Sequence, residues 1–174
     1  MPENALRIYC IDSSAFITLN RVFSLGFLPD DIWRLLDRLF DSGRVLSHEF
    51  VFSELCPNTT KPDFLAHWVK NKERFFYPVT VRQTEIVQQV LDKFPELIDD
   101  TKEINQADPW LLALAVEKRE TTSLVEDFSA LTVVSNESGK SGVKIPAACK
   151  EFGVPHLSLK EFFVDNQWKI TLQT

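Results

Sequence analysis

The sequence is poor in the residues that staple small secreted domains. Three cysteines occur in 174 residues, Cys10, Cys56 and Cys149, far apart, odd in number and without a C-x-x-C pair. That argues against a disulfide framework and for a reducing compartment. His48, His67 and His156 have no metal-ligand spacing and no nearby cysteine partner, so caps, surface and packing are their expected roles. Only five glycines are present, and no Gly-rich phosphate loop is among them. Gly139-Lys140-Ser141 echoes the end of a P-loop, but Val134 stands where the first glycine of that motif belongs. No apolar run approaches the roughly 20 residues that span a bilayer, and the first residues lack a basic segment followed by an apolar one. A cytoplasmic protein with no membrane association is expected. Cations are also short: 19 Lys and Arg stand against 25 Asp and Glu, a formal charge of −6. Overall charge therefore offers no general attraction to nucleic acid.

Apolar residues, by contrast, make up 44% of the chain, with 14 Phe and 4 Trp. A chain of this length buries about two-thirds of its unfolded surface, so one globular domain over residues 1–174 is expected. Leu6 to Asp12 is rich in β-branched and aromatic residues and reads as a buried strand ending in a carboxylate, with Ser13 or Ser14 able to cap the next segment. Pro29 to Gly43 carries Ile32, Trp33, Leu35, Leu36, Leu39 and Phe40 at helical spacing. Arg44 to Ser47 is a short strand, Glu49 to Cys56 a helix stopped by Pro57, and Thr60 to Asp63 a cap with proline near the first turn. A strand or turn at residues 75–79, a helix over 82–94 and a mostly buried helix over 108–118 come next. Leu131 to Ser135 is the second strong strand. Pro146 opens a helix that Gly153 ends, Val154 to Leu157 is a strand, and Ser158 to Glu161 is a capping box.

Strands alternating with helices imply an α/β fold with a parallel sheet and helices on both faces. In such sheets sites lie beyond the carboxyl ends of the strands. Asp12 ends the first strand, and Glu137 stands just past Ser135. Asp108 opens a helix, where the dipole favours a carboxylate, and Glu54 is flanked by core residues. Each acid alone could be a cap or a solvated side chain. Converging without His or Cys, they would make a hard, oxygen-rich site suited to Mg²⁺ or Mn²⁺ rather than Zn²⁺.

Four blocks carry a family resemblance: Ile11-Asp12-Ser13-Ser14, Val51-Phe52-Ser53-Glu54-Leu55, Ala107 to Ala115, and Val133-Val134-Ser135-Asn136-Glu137. In order, they resemble the signature blocks of PIN-domain proteins. The likeness is closest to a PIN-like branch related to the VapC ribonuclease toxins, in which Lys144 to Cys149 and Gln167 to Lys169 also have counterparts. The resemblance implies a three-layer sandwich around a parallel sheet of four or five strands. It also implies a Mg²⁺- or Mn²⁺-dependent endoribonuclease with catalytic acids Asp12, Glu54, Asp108 and Glu137, of which Asp12, Asp108 and Glu137 hold metal. Ser13, Ser14 and Ser135 would support them.

An RNA substrate, a cognate antitoxin of a type II toxin–antitoxin pair and a homodimer are implied as partners. The sequence departs from the commoner pattern in having Glu137 in place of an aspartate and Ser135 in place of a threonine, and in the long stretch from Glu120 to Ala130, where Asp127-Phe128 mimics the acidic motif. Those changes motivate the alternative, a catalytically inactive PIN-like module that binds RNA or protein. Lys140 and Lys144, near Glu137, are candidate phosphate contacts.

Overall fold

The computed structural model describes residues 7–23, 31–57, 61–99, 101, 106–122, 127–136 and 145–168. Five parallel strands form one sheet in the order β3-β2-β1-β4-β5, with β1 at Ile8–Ile11, β2 at Val45–His48, β3 at Phe76–Tyr77, β4 at Leu131–Ser135 and β5 at His156–Ser158. The α/β class and the strand number agree with expectation. From β1 the chain adds β2 and then β3 on one side, and reverses to place β4 and β5 on the other. Right-handed crossovers then put the two sets of connecting helices on opposite faces.

The central strands are short and apolar because they are covered on both sides. Tyr9, Cys10, Ile11, Leu131, Val133 and Val134 are all buried. Helix α1 (Ser13–Val22) comes directly after β1, and α2 (Asp31–Asp41) packs on β2. Helix α3 (Glu49–Leu55) leaves β2 directly, and α4 (Phe64–Lys70) precedes β3. Helices α5 (Val81–Lys93) and α6 (Ala107–Glu120) pack on each other, and α6 lies against both β2 and β4. Residues Leu111 to Ala115 of α6 are buried in an unbroken run, so this helix has little solvent face. Helices α7 (Ile145–Glu151) and α8 (Leu159–Asp165) flank β5, and α8 opens with the expected Ser158/Glu161 capping box.

Of the caps the sequence offers for α1, Asp12 is the one used rather than a serine: its carboxylate accepts the Ser14 N–H at 3.0 Å. Asp63 itself caps α4 by accepting the Ala66 N–H at 2.9 Å, which leaves Pro62 outside the helix. The indoles are structural: Trp33, Phe40 and Phe16 surround the Trp68 ring at centroid distances of 4.8, 5.6 and 6.1 Å. Lys72 lies 4.1 Å over the same indole and pairs with Asp37 at 2.7 Å. The three thiols are free, with Cys10 and Cys149 buried. Among the described residues no helix is long and apolar enough to cross a membrane.

Candidate acidic site at the strand reversal

Asp12 sits where the strand order reverses, between β1 and β4. The register pairs Ile11 with Val134, and the Asp12 N–H extends the ladder to the Val134 carbonyl at 2.9 Å. Its side chain is only 2% exposed. One oxygen, Oδ2, accepts from the Ser14 N–H and from the Ser14 hydroxyl. The other, Oδ1, is the single buried side-chain nitrogen or oxygen among the described residues that has no hydrogen-bond partner. Burial pushes the Asp12 carboxyl up to about 6, the Glu54 charge adds to that push, and the Ser14 and Ser13 hydrogen bonds oppose it.

Ser14 also joins the two central strands. Its Oγ accepts the Asn136 N–H at 3.0 Å, so the residue after β4 is tied to the first turn of α1. Ser13 points elsewhere and donates to Glu54 Oε2 at 2.5 Å. The second Glu54 oxygen, Oε1, accepts the Ala107 N–H at 3.0 Å. Glu54 therefore staples the start of α1 to the start of α6, where free N–H groups and the helix dipole favour negative charge. Asp108 is the next residue, in the first turn of α6 and half-buried. Gln106 holds the approach to that turn, donating from Nε2 to the Asp99 carbonyl at 2.9 Å and accepting the Asp99 N–H at Oε1 at 2.8 Å.

Asp12, Ser13, Ser14, Glu54 and the helix start that carries Asp108 are thus linked. Ser135 is buried, and its hydroxyl meets His156 Nε2 at 3.0 Å. Asp127 precedes β4, at the opposite end of the strand from Asp12. It is exposed and turns back to Ser129, whose hydroxyl and N–H, the latter at 2.8 Å, hold its carboxyl below the usual range and away from this site. Glu137, Lys140 and Lys144 lie outside the described residues.

The donor set is all oxygen, which suits a hard divalent cation. Among the described residues no three acidic, His or Cys side chains converge as a ligand cluster. Mg²⁺ does not require one, since it commonly keeps several waters and takes one or two carboxylates. The unpaired, buried Asp12 Oδ1 fits that demand. Both Glu54 oxygens already accept hydrogen bonds, which fits a positioning role better than direct ligation.

Sequence reasoning missed the backbone donors of Ala107 and Asn136, which no side-chain pattern announces. For His48 the expected role among caps, surface and packing is met by a cap. Buried at the end of β2, His48 caps α3 by accepting the Phe50 N–H at Nδ1, 3.1 Å away, and so supports the helix that carries Glu54. A histidine directly between a strand and a Glu-led helix was the available signal.

No curated protein matches the sequence. Among solved structures the chain is similar to VapBC2 from Rickettsia felis bound to a DNA fragment from their promoter, with 12% identity over 87% of this chain and 98% of that chain and a TM-score of 0.48. A family model described as a domain of unknown function, DUF4411, matches residues 9–170, and the chain belongs to that family.

Proposed function

We propose that the chain is a Mg²⁺- or Mn²⁺-dependent endoribonuclease whose acidic site is built on Asp12 and Asp108, with Glu54 as positioning residue and Glu137 completing the set. The observation that carries this reading is the buried, unpaired Oδ1 of Asp12 at the strand reversal. A carboxylate oxygen withheld from both water and protein donors is costly to keep and is explained by a partner that arrives with the function. The four sequence blocks that resemble PIN domains support the same assignment.

Each residue has a definable task. Asp12 and Asp108 would hold the cation, which when bound supplies an activated water and neutralises charge on the phosphodiester. Ser14 fixes the rotamer of Asp12 by occupying Oδ2, so that Oδ1 is the oxygen presented. Glu54 keeps α1 and α6 in register through Ser13 and Ala107. The acid excess of the chain then has a use, because a bound divalent cation reverses the local field where phosphate must approach. Lys140 and Lys144 would steady neighbouring phosphates. The reading extends to a cytoplasmic, homodimeric toxin of a type II toxin–antitoxin pair, kept inactive by an antitoxin that covers the acidic groove.

The test is cleavage of a labelled RNA with and without Mn²⁺, together with thermal melting of the protein. Mn²⁺ at 100 times its dissociation constant stabilises a folded binder by about 2.7 kcal/mol. Asp12→Asn and Asp108→Asn should each abolish cleavage and the Mn²⁺ shift while remaining folded. Cleavage undiminished in both variants overturns the proposal.

A further inference from the structure

Beside Glu54 a cleft of about 290 Å³ opens between α1, α3 and α4. Its floor is apolar, formed by Ile17, Leu55 and Leu65, and its rim is charged, formed by Glu54, Lys61 and Asp63. Glu54 belongs to both the cleft and the acidic site, since its carboxylate also holds Ser13 and Ala107. A ligand that reaches both regions is therefore an extended one. The volume lies at the lower limit of small-molecule pockets, so the part seated in the cleft is a single compact group.

We infer that this cleft is a subsite for one unpaired nucleobase, selective for bases with an exocyclic amino group. The inference rests on the reading of the acidic site as an RNA site and names how that site chooses its strand. A base has apolar faces and polar edges, which matches an apolar floor inside a charged rim. An aliphatic side chain would fill the floor equally well but would cover the Glu54 and Asp63 carboxylates without offering them donors, a desolvation penalty with no return. Asp63 spends one oxygen on the Ala66 N–H, and its other oxygen meets the Asn20 amide only at 3.4 Å. An ionised carboxylate has about four acceptor sites, so both rim acids can still accept from an amino group. The Lys61 ammonium has three donors and can offer one to a ring nitrogen or carbonyl while keeping the partner it already has. Adenine and cytosine present that donor and acceptor pairing, whereas uracil has no amino group.

Neutral nucleosides separate this subsite from phosphate and metal binding. The wild-type chain, with its Ile and Leu methyl groups labelled, is titrated by NMR with adenosine, cytidine and uridine in the absence of divalent cations. Adenosine and cytidine should shift the methyls of Ile17, Leu55 and Leu65 and bind about tenfold more tightly than uridine, the discrimination expected of one hydrogen-bonded base edge. Ile17→Trp, which fills the cleft, should abolish these shifts, and Asp63→Asn, which keeps the helix cap, should reduce the preference to within about twofold. The wild-type titration decides the matter even if Ile17→Trp does not fold. Equal binding of the three nucleosides, shifts that bypass these methyls, or no binding overturns the subsite. Selective binding without Mn²⁺-dependent cleavage of RNA leaves the subsite standing and removes the nuclease reading, and cleavage indifferent to base does the reverse.

Discussion

Two buried polar clusters in this chain have opposite fates. Around His48, each buried group meets a counterpart. His48 Nδ1 accepts the Phe50 N–H, Nε2 lies 3.2 Å from Gln83 Oε1, Gln83 Nε2 donates to Glu117 Oε2 at 2.6 Å, and Thr80 donates to Glu117 Oε1 at 2.6 Å. Because Nδ1 must be an acceptor, Nε2 carries the proton, and the direction of the whole chain of bonds is fixed. The Asp12 cluster, equally buried and at the same end of the sheet, leaves Oδ1 without a partner. A satisfied network specifies packing, whereas the unsatisfied acid at the strand reversal is the observation on which the proposed cation site rests.

The sharpest way to break this contrast is to remove one polar group from each cluster. Gln83→Leu leaves the His48 N–H and a Glu117 oxygen without partners. It should destabilise the fold by about 3 kcal/mol and lower the melting temperature by roughly 6–12 °C. Asp12→Asn should show the opposite sign at neutral pH, with stability unchanged or raised by about 1 kcal/mol. The amide oxygen can still accept from Ser14, and a buried charge is gone. Thermal or urea denaturation of both variants reads the difference. A loss of several kcal/mol in Asp12→Asn would place that residue in the structural class with Gln83.

The clusters should also tilt stability in opposite directions with pH. The Asp12 carboxyl, pushed from its ordinary 3.8 to about 6, keeps its proton in the folded state where the unfolded chain has lost it. The folded state then binds more protons between pH 4 and 6, so this contribution falls by roughly 2–3 kcal/mol as pH rises through that window and stays constant above it. Burial lowers the His48 imidazole below its ordinary 6.5. Here the folded state binds fewer protons, so the contribution is present above the ordinary value and is lost as pH falls through the lowered one. Stability measured against pH in wild type and in Asp12→Asn should differ by the acid-side term alone. Coincident profiles would show that Asp12 titrates normally and is not a strained acid.

Much of the Asp12 cluster was legible in the sequence, and little of the His48 cluster. The strand that ends at Asp12, the buried Leu131–Ser135 strand and the buried run in α6 come from local composition and periodicity. A strand-end acid next to two serines is likewise a local feature. The staple from Glu54 to the Ala107 N–H spans 53 residues and ends on a backbone atom, and the Gln83 to Glu117 bond joins two helices that sequence spacing cannot orient. Asp127 was ambiguous because the motif it mimics follows a strand, and the short apolar stretch before it competes with Leu131–Ser135. The strand is Leu131–Ser135, so Asp127 precedes β4 instead of following it. Ser14 lies between these cases, being two residues from Asp12 yet also bound to Asn136 across the sheet. Ser14→Ala removes both side-chain bonds at a partly buried position and should cost about 1–2 kcal/mol by denaturation. A neutral result would mean that Asn136 has another acceptor and that Ser14 does not join the strands.

The smallest expected effect tests whether direction, rather than charge, is what the His48 network specifies. Glu117→Gln keeps the shape and removes the charge. The new amide can turn its oxygen toward Gln83 Nε2, which needs an acceptor, and its NH₂ toward Thr80. The Thr80 hydroxyl, freed from donating, can rotate and accept, although it already accepts the Gln83 N–H at 3.1 Å. No bond between Gln83 and His48 has to reverse, so the fixed polarity set by the Phe50 N–H survives. What is lost is the difference between a charge-assisted and a neutral hydrogen bond, about 1 kcal/mol or less once the lower desolvation of the amide is counted. A loss comparable to that of Gln83→Leu would show that the Glu117 charge itself, through its attraction for the His48 ring, holds the network together.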